Sequence, residues 1–127
     1  MEKKEKFVID ENNIENYSTG AIRKSCKGKG RYDLLSPLAI ARLAKVFENG
    51  AEFHGDRNWE KGLNMARFMD SAFRHMYQYL EGRRDEDHLA HAFWNISAAL
   101  HTEEAINRGL LPKELYDLPN YVAEKKE

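Results

Sequence analysis

The sequence predicts an all-α protein, a helical bundle completed by a second copy of itself, and three observations carry that expectation. Apolar residues recur at spacings of three and four in three separate stretches, the signature of helices with one buried face. Each stretch closes on a glycine, at Gly55, Gly82 and Gly109. No run of alternating apolar and polar residues competes, so no strand is expected. Three helices of this length leave apolar residues on more than one side, which calls for a further subunit to cover them.

In chain order, residues 1–17 are polar and mixed in charge and read as a loosely held, flexible arm. Residues 18–35 gather Arg23, Lys24, Lys27, Lys29 and Arg31 around Gly28 and Gly30, with no acid before Asp33, and read as a basic loop. Ser36-Pro37 supplies a capping oxygen and a first-turn proline, so a helix starts there. Its stripe is Ile40, Leu43, Ala44, Phe47 and Ala51, and it should reach Glu52 or Phe53. A second helix begins near Asn64 and carries Met65, Phe68, Met69, Ala72, Phe73, Met76 and Leu80. Arg83 to Glu86 form a tight polar connection to a third, striped by Leu89, Ala92, Phe93, Ile96 and Leu100 and ending near Asn107. Beyond Pro112, a tail over 113–127 packs Leu115, Tyr116, Leu118 and Tyr121 before ending in solvated charge.

Composition narrows the function. The chain has 127 residues, 42% apolar and 32% charged, which fits a single globular domain. A net charge of −1 gives no global field for nucleic acid, so any anion site must be local. A single cysteine, Cys26, rules out an internal disulfide framework and a cysteine-rich zinc site, and fits a reducing cytoplasm. No run of about 18 apolar residues exists to span a membrane, and no secretory signal is visible.

Several polar groups fall where a bundle would partly bury them. On the first helix, Glu48 and Glu52 share a flank one turn apart; their simplest alternative reading is two solvated acids. On the second, Asp70 lies beside Arg74, an ion pair always available to it, and His75 lies on the opposite flank. On the third, His88, His91 and Asn95 fall within roughly 60° of one another, with Asp87 roughly 40° beyond His91. Histidine and carboxylate at such spacings can meet one metal ion, or a histidine can simply donate to a neighbouring carboxylate. The connector Gly55 to Gly62 needs glycine and aspartate for its turns but not Arg57, Trp59 and Lys61 together. Arginine and lysine suit phosphate oxygens, and Trp59 can stack on a base or plug the end of the bundle.

The run Lys29-Gly-Arg-Tyr-Asp-Leu-Leu35, then Glu48-Asn-Gly-Ala51, Gly55-Asp-Arg-Asn-Trp-Glu-Lys-Gly62, Asp70-Ser-Ala-Phe-Arg-His75 and Asp87-His-Leu-Ala-His-Ala-Phe-Trp-Asn95 resembles the phage and bacterial dATP/dGTP diphosphohydrolase family. That family is related to the MazG-like all-α nucleoside triphosphate pyrophosphohydrolases. The resemblance covers about residues 18–107. It implies a MazG-like bundle, dimeric or tetrameric, with a catalytic helical domain over 18–112. It also implies hydrolysis of dGTP and dATP to monophosphate and pyrophosphate with Mg²⁺ or Mn²⁺, in nucleotide-pool control or modified-DNA synthesis, in the cytoplasm of a bacterium or a phage-infected host.

Carried over residue by residue, the resemblance makes Glu48 and Asp70 the closest matches to the metal-binding acids, with Glu52 and Asp87 as further metal candidates. Catalytic roles are expected for Glu48, Asp70, His75 and His91. Substrate contacts are expected from Lys29, Arg31, Tyr32, Arg57, Asn58, Trp59, Lys61, His88 and Asn95. The chemistry fits these residue types, because attack of water on the α-phosphorus must proceed against about four negative charges, which divalent ions bridged by carboxylates neutralise. Two alternatives remain on the residues alone. The adjacent Asp87-His88 pair would serve a His-Asp type phosphohydrolase, and the loop from Arg23 to Arg31 would serve a non-enzymatic nucleic-acid-binding helical protein.

Overall fold

A computed structural model describes residues 7–122. They divide at Leu35/Ser36 into two compact units, each described by itself.

The first unit corrects the all-α expectation. It holds a three-stranded antiparallel sheet in the order β1 (Phe7–Ile9), β2 (Ile14–Tyr17), β3 (Ile22–Lys24). Phe7 pairs with Tyr17 and Ile9 with Glu15, while Ile14 pairs with Lys24 and Asn16 with Ile22. Local side-chain bonds shape the first hairpin. The Asp10 carboxylate accepts from the backbone N–H of Asn12 at 2.9 Å and of Ile14 at 3.1 Å, and Asn13 adopts a left-handed φ of 59°. The buried Glu15 accepts from the Tyr17 hydroxyl at 2.6 Å and from the Cys26 N–H at 3.1 Å. Strands of three or four residues held by polar side chains carry too little apolar alternation to register as a period, whereas turn residues such as Asp10, Asn13 and Gly20 are their visible trace. A 3₁₀ turn at Tyr32–Leu34 ends the unit's ordered path.

The second unit contains the three expected helices: α1 (Pro37–His54), α2 (Met65–Leu80) and α3 (His88–Asn107). Ser36 Oγ caps α1 by accepting from Ala39 N at 3.2 Å, and Asp87 caps α3 by accepting from Ala90 N at 3.1 Å. α3 is the central element and packs against both α1 and α2. The core is Met65, Phe68, Ala98 and Ala99, with Trp59, Met69, Trp94 and Leu118 against it.

Of the stripe expected on α3, Ala92 is buried but the large side chains are turned outward. Leu89, Phe93, Ile96 and Leu100 are exposed, and the buried face is His88, Ala90, Ala92, Asn95, Ala98, Ala99, Thr102 and Ala105. Small side chains let neighbouring helices approach closely, so the alanine face wins the central position over the bulkier one. On α2 the stripe is divided in the same way, with Met65, Phe68 and Ala72 buried but Phe73, Met76 and Leu80 exposed.

The tail holds the start of α2. Asn64 makes no side-chain cap of its own. Asp117 replaces it, accepting from Ala66 N at 2.9 Å and from Asn64 Nδ2 at 3.0 Å. Gly62 is fixed by the same packing: its φ is +115°, and a Cβ there would lie 2.9 Å from Leu115 Cδ1. The backbone bond from Ala66 and then the Asn64 amide hold the Asp117 carboxyl below its ordinary value of 3.8. A carboxylate depressed in this way stabilises the fold above its unfolded pKa, and that contribution disappears as pH falls through the folded value. Asp117→Ala should therefore lower stability by a constant amount above about pH 5 and by progressively less below it. Denaturant unfolding of both proteins across that range checks this; a difference independent of pH would contradict it. Among the described residues, no helix is long and apolar enough to cross a membrane.

Candidate functional site

The junction of α2 and α3 gathers three histidines and two acids. His75, near the end of α2, places Nδ1 3.0 Å from His88 Nδ1 and 3.4 Å from Glu86 Oε1. The same Glu86 oxygen lies 3.6 Å from His88 Nδ1 and 4.0 Å from His91 Nε2. Asp85 Oδ1 accepts from His88 Nε2 at 2.8 Å. The His75 and His91 rings stack with centroids 5.0 Å apart. The His88 side chain is 2% exposed, whereas Glu86 is 45% exposed and opens the cluster to solvent. Burial, then the neighbouring His91, pushes His75 below the ordinary histidine value, so a neutral imidazole with a free lone pair is favoured. The bond from His88 holds Asp85 below its ordinary value.

Donor atoms of His75, Glu86 and His91 all lie within 4.8 Å of one another. These three form a group that one ion could reach, and His88 Nδ1 lies beside two of them. Imidazole nitrogen with one carboxylate is a donor set for borderline divalent metals.

A cleft of about 620 Å³ lies elsewhere in the unit, between the C-terminal part of α1 and the connector that precedes α2. Phe47, Ala51 and His54 of α1, Asp56, Arg57, Asn58, Trp59 and Glu60 of the connector, and Trp94 of α3 line it. The connector is held tightly: Arg57 has a left-handed φ of 57°, and its Nη1 donates to Glu60 Oε1 at 2.5 Å. Trp59 forms part of the wall and part of the packing, edge-on to His101 at 4.8 Å and to Trp94 at 6.1 Å, with Phe47 at 5.9 Å. Lys61 is exposed and lies beyond the lining.

The other expected residues are dispersed. Glu48 and Glu52 are exposed on α1, each one residue past a cleft-lining side chain, Phe47 and Ala51. Asp70 is exposed on α2 and pairs with Arg67 at 3.1 Å and with Arg74, the ion pair anticipated for it. Asp87 spends one carboxylate on two tasks, the α3 cap and a fork to Arg42 at 2.8 and 2.5 Å, and the Arg42 bond lowers its pKa to about 2. The chain on its own does not gather these four acids into one group. Asn95 is buried with Nδ2 donating to the His91 carbonyl at 2.9 Å. Lys29, Arg31 and Tyr32 belong to the first unit, where Arg31 forks onto Asp33 with both contacts at 2.8 Å.

Sequence reasoning had the histidines but not their acids. Glu86 and Asp85 precede α3, and a periodic count cannot place residues outside a helix. The run Asp85-Glu86-Asp87-His88 was the available signal.

Residues 19–109 match the family model described as dATP/dGTP diphosphohydrolase, N-terminal, and the chain belongs to that family. No curated protein and no solved structure matches it.

Proposed function

We propose that the protein hydrolyses purine deoxynucleoside triphosphates, dGTP and dATP, to the monophosphate and pyrophosphate with Mg²⁺ or Mn²⁺. Family membership over 19–109 supports a nucleotide hydrolase. The observation that carries the reading further is the cleft, whose volume suits a small-molecule ligand and whose connector presents Arg57, Asn58 and Trp59 together. Arg57 meets phosphate oxygens with a planar fork, exchanging its Glu60 bond for them. Trp59 offers a ring face or edge to the purine, and Asn58 an amide to the base edge.

Glu48 and Glu52 stand one turn apart on α1, each next in sequence to a residue that lines this cleft, and among the described residues no ion pair engages either. Paired carboxylates with open solvent around them fit a hard divalent cation that keeps several waters. Such an ion, when bound, neutralises triphosphate charge and lowers the pKa of water. The water oxygen bonds to the α-phosphorus, the bond to the bridging α–β oxygen breaks, and pyrophosphate leaves. A carboxylate not spent on the cation takes the proton.

The His-Asp alternative needs Asp87 and His88 to act as a pair. Their side chains diverge, Asp87 to Arg42 and His88 to Asp85 and His75. Purine selectivity is tested by following depletion of each of the four dNTPs with Mg²⁺ and with Mn²⁺. Faster loss of dATP and dGTP is expected, and equal rates for all four would overturn it.

The same reading includes a second copy. Leu89, Phe93 and Ile96 of α3, with Met76 of α2, line an apolar groove of about 390 Å³, and Leu100 extends the exposed stripe. A contiguous apolar face of this kind is the ordinary mark of an interface. Phe93→Asp, on a residue 40% exposed, should leave the helical content intact and convert the oligomer to a monomer. Light scattering at micromolar concentration checks this; a wild type already monomeric would contradict it.

A further inference from the structure

We infer that His75, Glu86, His88 and His91 form a binding site for one divalent transition-metal ion of the zinc class, which clasps the segment joining α2 to α3. The inference stands apart from the proposed hydrolysis, whose cation is assigned to oxygen ligands on α1.

Geometry argues first. Metal–nitrogen bonds of about 2.0–2.1 Å set tetrahedral ligands about 3.3–3.4 Å apart and right-angled ligands about 2.9–3.0 Å apart. The separations of 3.0, 3.4 and 3.6 Å among His75, Glu86 and His88 lie within about 0.2 Å of those values. The His91 donor, 4.0 Å from Glu86 on a half-exposed ring, joins them by turning toward the ion.

Hydrogen bonding argues second. Asp85 is an acceptor, so His88 Nε2 carries the hydrogen and His88 Nδ1 presents a lone pair. That lone pair faces His75 Nδ1 from 3.0 Å, with the His88 ring itself buried. In the metal-free chain the His75 Nδ1–H donates to that lone pair; with its hydrogen on Nε2 instead, His75 presents a second lone pair there, and an ion between them satisfies both rings and the Glu86 oxygen at once. Asp85 is then the outer partner of a carboxylate–histidine–metal arrangement, which fixes the tautomer and the ring orientation. Asp85 and Glu86 both sit in the connection and two of the histidines on α3, while His75 is on α2, so one ion ties the two helices across their shortest link. Three nitrogens to one oxygen favour Zn²⁺, Co²⁺ or Ni²⁺ over Mg²⁺.

The test uses the untagged full chain after treatment with a chelator. Titration calorimetry should give one Zn²⁺ per chain, with no heat from Mg²⁺ at the same site, and Co²⁺ should produce the visible bands of a four-coordinate complex. Zn²⁺ should raise the melting temperature, because an ion that binds the folded state stabilises it. Glu86→Gln and His91→Ala should each weaken Zn²⁺ binding at least about tenfold, and Glu104→Gln, a surface acid paired with Arg108 on the far end of α3, should leave it unchanged. If His91→Ala does not fold, Glu86→Gln carries the test alone, since its side chain is half in solvent. Absence of stoichiometric Zn²⁺ binding, or equal affinity in Glu86→Gln and the wild type, would overturn the inference and leave the cluster as a hydrogen-bonded network.

Discussion

Glu48→Gln is expected to lower kcat/KM for dATP and dGTP about a hundredfold or more, with the melting temperature unchanged. Loss of a group that merely orients a metal ligand costs about 10–100-fold, so loss of a ligand itself belongs at or beyond the upper end. Glutamine keeps the shape and removes the charge that holds the cation. Glu48 is exposed and among the described residues forms no ion pair, so the fold has little to lose, within about 0.5 kcal/mol for a surface exchange of this kind. Steady-state kinetics over a range of Mg²⁺ and Mn²⁺ concentrations, beside a thermal melt, checks both halves. A wild-type rate in Glu48→Gln would move the catalytic cation away from α1.

Trp59→Ala is expected to cost about 3 kcal/mol of stability, the lower end for removing a large aromatic from a packed site. The lower end applies because Trp59 is half-buried: it packs against the core and also faces the cleft. Its partners Phe47, Trp94 and His101 come from α1 and α3, so the substitution loosens the point where the two helices meet the connector. In a unit of this size such a loss lowers the melting temperature by more than about 10 °C. Trp59→Phe restores a ring to the packing and should recover most of that temperature. Purine substrates should still bind less well to Trp59→Phe, because the smaller ring offers less surface to the base. An unchanged melt in Trp59→Ala would contradict the packing described for this residue.

How far the sequence spoke depended on what kind of contact was being read. The helices were legible because each has a local cause, the Ser36 cap, the 3.6-residue spacing, and terminating glycines. The packing face of α3 was not, because hydrophobic size points to Leu89, Phe93 and Ile96 while close helix approach selects Ala90, Ala98 and Ala99. The sheet escaped because its strands are short and the inward Glu15 is satisfied by Tyr17 and Cys26, contacts that no periodic count contains. At the site, His75, His88 and His91 stood out as residue types, but their convergence depends on a connection between helices that places Glu86 among them. In the connector from Gly55 to Gly62, Arg57, Asn58 and Trp59 line one cleft while Lys61 does not, a division that depends on the local backbone and not on residue type.

The central claim is cleavage between the α- and β-phosphorus atoms, and the products of dATP and dGTP turnover test it most directly. Phosphorus NMR of reactions containing Mg²⁺ or Mn²⁺ should show pyrophosphate and the deoxynucleoside monophosphate appearing in equal amounts from the first turnovers. Inorganic triphosphate with free deoxynucleoside, or no turnover with either ion, would contradict it.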